Sequence, residues 1–271
     1  MPKKSKKEDK PCLNMPVILK VKDLEDKSKY KELHPNLPVP PFCMLICGSV
    51  RSGKSNAIVC MLRHEDNFFG TDYFDKVVIM SNTINNDPKG KYLMDAFEVI
   101  DHYDDKYIKG YIKEQKDHER EEMPTGLIVL DDIISRDFKR TSEISFLSSR
   151  FRHIETSLMI SVQSFRAVSN VIRNNSDFIL VFKQNNFKEL KKISEEYSDY
   201  CGSENLFLQY YNYCMKEKYH FLSINAQQNP AVFMKDFTEI IGHGDQPTIN
   251  LDPLTEEDTE TLEYEDPSIE D

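Results

Sequence analysis

Apolar residues in this chain gather in short unbroken runs. They occupy 42–47, 77–80, 127–130, 157–162 and 178–182, with a weaker run at 97–100. Runs of this length without alternation fit strands buried on both faces of a parallel sheet. Between them lie segments with helical spacing, at 54–65, 104–120, 141–152, 164–173 and 186–199. Strand and helix alternate, which predicts an α/β domain whose central, mostly parallel sheet is flanked by helices. Residues 203–224 read as one more helix and a final strand over 219–224.

Three regions follow from this pattern. Residues 1–41 form a polar, Lys-rich arm, and Pro35, Pro38, Pro40 and Pro41 make its end a stiff, extended lead-in. Residues 42–243 form the folded domain. From 244 to 271 the chain is acidic, contains Pro and is poor in apolar residues, a composition that predicts disorder.

Composition narrows the class. At 271 residues, with 39% hydrophobic residues, 16 Phe and 13 Tyr, one sizeable core is within reach. No apolar run approaches the roughly 18–20 residues a membrane span needs. The basic start has no apolar stretch behind it, so a soluble, intracellular chain is expected. The cysteines at 12, 43, 47, 60, 201 and 214 contain no CxxC pair and predict reduced, mostly buried thiols rather than a zinc site. The net charge of −11 argues against indiscriminate coating of nucleic acid. However, residues 246–271 hold ten acidic side chains and no Lys or Arg, so they account for all but one unit of it. A near-neutral domain can still carry a local basic face.

The first chemical motif is Gly48-Ser49-Val50-Arg51-Ser52-Gly53-Lys54-Ser55, a complete G-x-x-x-x-G-K-[ST] phosphate loop. It follows a buried strand and opens a helix. Gly48 and Gly53 allow the tight turn that aims successive N–H groups at phosphate oxygens. Lys54 reaches the β- and γ-phosphates, and the Ser55 hydroxyl is a hard ligand for Mg²⁺. The helix dipole adds to the attraction, and the nucleotide contacts extend to Asn56 in its first turn. ATP with Mg²⁺ is the expected ligand.

The second motif is the run at 127–130 followed by Asp131 and Asp132. With a phosphate loop it reads as Walker B: Asp131 holds Mg²⁺ and Asp132 orients or deprotonates the attacking water. The bland reading makes either Asp a helix cap. Gln163 ends the strand at 157–162 and would point into the nucleotide crevice as a sensor, or else start a helix together with Ser164. Arg150 and Arg152 are candidates for a finger acting on a neighbouring subunit, with Arg152 preferred and surface salt bridging as the alternative. His153 reads as structural.

Together the phosphate loop, the acidic strand end, Arg150-Phe151-Arg152-His153, the 157–164 run and 172–177 resemble the poxvirus-type DNA-packaging ATPases of large DNA viruses and virophages. These belong to the FtsK–HerA group of P-loop NTPases, and the similarity covers about residues 40–225. It implies a P-loop fold of the additional-strand type and a homo-oligomeric ring that drives double-stranded DNA into a viral capsid. It also implies capsid or portal-vertex partners, and a location in the host cytoplasm at the viral factory, with the virion as a second site. It carries Lys54 and Ser55 to nucleotide and Mg²⁺ binding, Asp131 to Mg²⁺, Asp132 to catalysis, Gln163 to sensing and Arg152 to the finger. Asp132 stands where the wider group often has Glu. DNA contacts are sought at Arg136, Lys139, Arg140, Lys183, Lys188, Lys191 and Lys192, each of which reads equally as a solvated helix face. A nucleoside or nucleotide kinase is the competing class, but it requires an Arg-dense lid that the sequence lacks. A non-hydrolysing scaffold is the third, and it conflicts with an intact set of Lys54, Ser55, Asp131 and Asp132.

Overall fold

The computed structural model describes residues 29–64, 68–85, 90–133, 142–256 and 258. The arm before residue 29, the candidate contacts Arg136, Lys139 and Arg140, and most of the acidic tail lie outside these.

The strands are β1 (Cys43–Cys47), β2 (Lys76–Ser81), β3 (Glu98–Ile100), β4 (Gly126–Asp131), β5 (Thr156–Val162), β6 (Phe178–Phe182), β7 (Phe221–Asn225), β8 (Val232–Lys235), β9 (Glu239–His243) and β10 (Gln246–Pro247). They form one sheet in the order β10-β9-β8-β7-β6-β1-β5-β4-β2-β3. From β6 to β3 the pairing is parallel, and from β6 to β10 it is antiparallel. Each of the five strong apolar runs is a strand of the parallel part, as its double burial requires. β5 lies between the phosphate-loop strand β1 and the acidic strand β4, which is the additional-strand arrangement.

The helices are α1 (Lys54–Arg63), α2 (Gly90–Met94), α3 (Asp105–Lys116), α4 (Glu143–Ser148), α5 (Asn170–Asn175), α6 (Phe187–Tyr197) and α7 (Glu204–Met215). Asp104, Ser142, Ser169, Asn186 and Ser203 each cap a helix start by accepting a backbone N–H, worth about 1 kcal/mol apiece. Alternate residues of β1 serve the two faces. Cys43, Leu45 and Cys47 face a core shared with α3 to α7, while Phe42, Met44 and Ile46 face α1 and an aromatic cluster of Phe69, Tyr73 and Phe74. Phe42 stacks on Phe69 at 5.4 Å between ring centres.

Several expectations need correction. The helix expected over 164–173 is only Asn170–Asn175. Glu189 holds the preceding segment in another shape, accepting from Ser164 Oγ at 2.9 Å and Arg166 N at 3.1 Å. The helix over 141–152 stops at Ser148, and a 3-10 turn over Phe151–Ile154 follows. The strand expected at 219–224 starts at Phe221 and is not final, because β8, β9 and β10 extend the sheet beyond it. The Pro-rich lead-in is not straight. It turns where Leu37 N donates to His34 O (2.9 Å), and it is fastened to the sheet where Asn36 Nδ2 donates to Phe237 O (2.6 Å) and Val39 N to Gln227 Oε1 (2.8 Å). Past residue 243, β10 pairs with β9, and Ile249, Leu251 and Leu254 pack on the core.

Cys43, Cys47, Cys201 and Cys214 are buried free thiols, and Cys60 is half-buried. Among the described residues no helix is long and apolar enough to cross a membrane.

Candidate nucleotide site

The carboxyl ends of the parallel strands share one edge of the sheet, and residues 48–55 leave β1 there. Gly48 N donates to Val162 O at the end of β5 (3.2 Å), and Ser49 N donates to Lys183 O just past β6 (3.0 Å). Asn185 N donates to Ser49 Oγ at 2.7 Å. The loop is thus braced from both neighbouring strands. A Cβ on Gly48 would lie 2.6 Å from Phe182 Cβ and 2.7 Å from Ser52 Oγ, so no side chain fits there. Gly53 has φ +117° and Arg51 φ +62°; the first suits glycine, while the second costs about 1 kcal/mol or more. Gly53 caps α1 without any side-chain bond, so the first N–H groups of the helix face outward, able to donate to an anion.

Lys54 is buried, and its Nζ donates to the carbonyls of Gly48 (2.7 Å) and Ser49 (3.1 Å). Burial lowers its pKa, and the nearby carboxylates of Asp132 and Asp131 oppose the shift. A cation so placed has given up much of its hydration, which strengthens its pull on a phosphate.

Strand register explains why the two carboxylates stand opposite this lysine. Asp131 pairs with Ser161 of β5, which pairs with Ile46 of β1, so β4 and β1 end at one level about 10 Å apart. Asp131 is buried, and burial raises its pKa; the hydroxyls of Ser161 and Ser55 face it and oppose the rise. Its Oδ1 is buried without a protein partner. A buried carboxylate oxygen without a donor, next to a serine hydroxyl, fits a hard divalent cation that the phosphates and water would finish coordinating. Among the described residues no group of three or more His, Cys, Asp or Glu forms a metal site of its own.

Asp132 leaves the strand with φ +55°, a conformation that Asp tolerates better than most residues. Its N–H donates to Ser161 O at 3.3 Å, and its Oδ1 accepts from Gln163 Nε2. Gln163 therefore turns toward the acidic pair, and no helix starts there. Lys54, Ser55, Asp131, Asp132 and Gln163 are all brought together at this edge.

The arginines are not. Arg152 NH2 donates to Asp177 Oδ2 at 2.9 Å, and Asp177 Oδ1 accepts from Cys43 N at the start of β1. This is the amino end of the strands, about 20 Å from the loop across the length of β5. Arg150 lies over the Phe146 ring at 4.1 Å on the same side, where His153 is exposed. Neither arginine can reach this site within the same chain. Among the DNA-contact candidates, Lys191 pairs with Glu204 and Lys192 with Glu195, at 3.0 and 3.1 Å. Lys183 is exposed, and Lys188 is half-buried in the first turn of α6. Arg173, within the 172–177 stretch, is buried and pairs with Glu196 at 2.8 Å, tying α5 to α6. The bracing of the loop by Lys183 O and Asn185 N was missed by sequence reasoning, since backbone bonds leave no residue signature.

No family model matches the chain. The uncharacterized protein 075L of Invertebrate iridescent virus 6 is 24% identical over 172 residues, which cover 62% of this chain and 64% of that protein, so the chain spans less than two thirds of this relative's length. The DNA-packaging ATPase B204 from Sulfolobus turreted icosahedral virus superposes with a TM-score of 0.53 at 19% identity, over 73% of this chain and 98% of B204. The genome packaging NTPase B204 from Sulfolobus turreted icosahedral virus 2, solved with AMPPCP, gives 0.51 at 18% identity over 73% and 99%. The fold is therefore that of a P-loop NTPase, and these two solved neighbours are viral packaging enzymes.

Proposed function

We propose that this chain is an ATPase that hydrolyses ATP with Mg²⁺ and, as a homo-oligomeric ring, drives double-stranded DNA into a viral capsid. One observation carries the reading: the buried Lys54 ammonium, the unpartnered oxygen of Asp131 and the Gln163-bound carboxylate of Asp132 converge at one sheet edge.

The roles follow from position. The N–H groups of residues 48–56 and Lys54 grip the β- and γ-phosphates. Ser55 and Asp131 would hold Mg²⁺, which neutralises charge on the phosphate oxygens. Asp132 accepts the proton of the attacking water as its oxygen bonds to the γ-phosphorus and the bond to the β-phosphate oxygen breaks, releasing ADP and phosphate. Gln163 fixes the Asp132 carboxylate and reports on the γ-phosphate. Arg152, remote from its own site, serves the nucleotide of an adjacent subunit, which requires a closed ring. Support for DNA as the substrate comes from the packaging enzymes that share the fold. Capsid or portal-vertex proteins are the partners this function needs, and the host cytoplasm is where it would act.

The test is ATP hydrolysis by the full chain at low salt, with and without double-stranded DNA, alongside its size in solution. DNA should raise the rate several-fold, and nucleotide should favour the oligomer. A rate indifferent to DNA would remove the motor reading and leave a simple ATPase.

A further inference from the structure

The phosphate loop has a second flank. Asp131, Asp132 and Gln163 lie toward β5 and β4. On the opposite side, toward β6 and β7, a cavity of about 630 Å³ opens against the loop and the first turns of α1. Gly53, Asn56 and Ala57 form its near wall, so it is continuous with the phosphate grip. The far wall is aromatic: Phe237 meets Phe68 at 5.7 Å and Phe221 at 5.2 Å, both edge-on.

Tyr219 completes it. The residue is 72% exposed, yet its ring lies against the loop, 3.8 Å from where a Cβ on Gly53 would stand. Its φ of +71° is rare for a bulky residue. The next two residues hold it there: His220 Nδ1 pairs with Asp236 Oδ2 at 2.6 Å, and Phe221 N donates to Asp236 Oδ1 at 3.1 Å. The β7–β8 pairing thus delivers an aromatic face to the cavity mouth.

We infer that this cavity takes the nucleobase of the bound nucleotide, with the Tyr219 ring stacking on it. The inference rests on the nucleotide reading above and deepens it. A triphosphate whose terminal phosphate must meet Asp131 and Asp132 has its sugar and base directed to the other flank. That flank offers a ligand-sized space with flat apolar walls, the chemistry that holds a planar heterocycle. Both oxygens of Asp236 are engaged with His220 and Phe221, and the flat aromatic surface favours the larger face of a purine over a pyrimidine.

The experiment measures binding of a non-hydrolysable ATP analogue and of inorganic tripolyphosphate, each with Mg²⁺, by calorimetry. The wild-type protein should bind the analogue at least about tenfold more tightly than tripolyphosphate (about 1.4 kcal/mol). Tyr219→Ala should lose that advantage and keep tripolyphosphate affinity, while Tyr219→Phe should keep both. Thr238→Trp, at the exposed rim of the cavity, fills the mouth from outside and should lose the advantage in the same way, which guards against misfolding of the alanine variant. Equal wild-type affinity for the two ligands, or an undiminished preference in both Tyr219→Ala and Thr238→Trp, would overturn the inference while leaving the phosphate loop intact. A wild-type protein that binds neither ligand would overturn the nucleotide reading as well.

Discussion

The two flanks of the phosphate loop are built in opposite ways. On the β5–β4 side, polar groups emerge from the ends of parallel strands, fixed by register: Asp131 stands level with Ser161, and Gln163 holds Asp132. On the β6–β7 side, the strands turn antiparallel, and a hairpin from far along the chain supplies aromatic rings and Tyr219. The first flank has the groups to change a bond, and the second has surface to hold a ligand. Substitutions on the first should therefore act on kcat, and those on the second on KM.

The largest effect should come from Arg152, which belongs to neither flank of its own subunit. Arg152→Ala is expected to lower kcat by about 10³–10⁵-fold. Asp177, its partner, keeps Cys43 N (2.9 Å) and Gln227 Nε2 (3.3 Å), so the fold should persist. Mixing Arg152→Ala with Asp132→Asn subunits should recover activity, since some interfaces then combine an intact finger with an intact site. Recovery in an ATPase assay supports action in trans. A normal rate for Arg152→Ala alone would reduce that residue to an ion pair.

Asp131 separates chemistry from stability. Burial raises its carboxyl pKa, so the folded state holds this proton more tightly than the unfolded chain does. The stabilising contribution is complete below the unfolded pKa and is lost as pH rises through the raised one, above which the buried charge costs stability. Asp131→Asn should sharply lower Mg²⁺-dependent hydrolysis yet raise Tm in the absence of nucleotide. That gain should shrink as pH falls toward the ordinary carboxylate range. Thermal unfolding across that range checks it, and a lower Tm at neutral pH would contradict it.

The smallest effect should be that of Lys191→Ala with Lys192→Ala. Their partners Glu195, Glu196 and Glu204 already balance them, so DNA-stimulated hydrolysis should change by less than about twofold. A larger loss would return DNA contact to the α6 face.

The contrast between the flanks also explains what could be read from the sequence. Doubly buried parallel strands are continuous apolar runs, and functional groups follow directly where those runs stop, as with Gly48 after Cys47, Asp131 after Leu130 and Gln163 after Val162. The other flank leaves no such mark. β8 has four residues and a bulge between Phe233 and Met234, and β9 contains Gly242, so neither has a clear period. Tyr219 reads as the start of a strand, and only the pairing of β6 with β7 brings its ring to Gly53. The failed helix at 164–168 has a similar cause, because Glu189, distant in sequence, captures Ser164 and Arg166.

In the proposed mechanism Asp132 is the residue that turns binding into hydrolysis. The direct measurement is the steady-state ATP hydrolysis of wild type and Asp132→Asn with Mg²⁺, together with ATP affinity. The variant should bind ATP as tightly as the wild type while kcat falls by about 10²–10⁴-fold. An Asp132→Asn protein that hydrolyses ATP at the wild-type rate would contradict it.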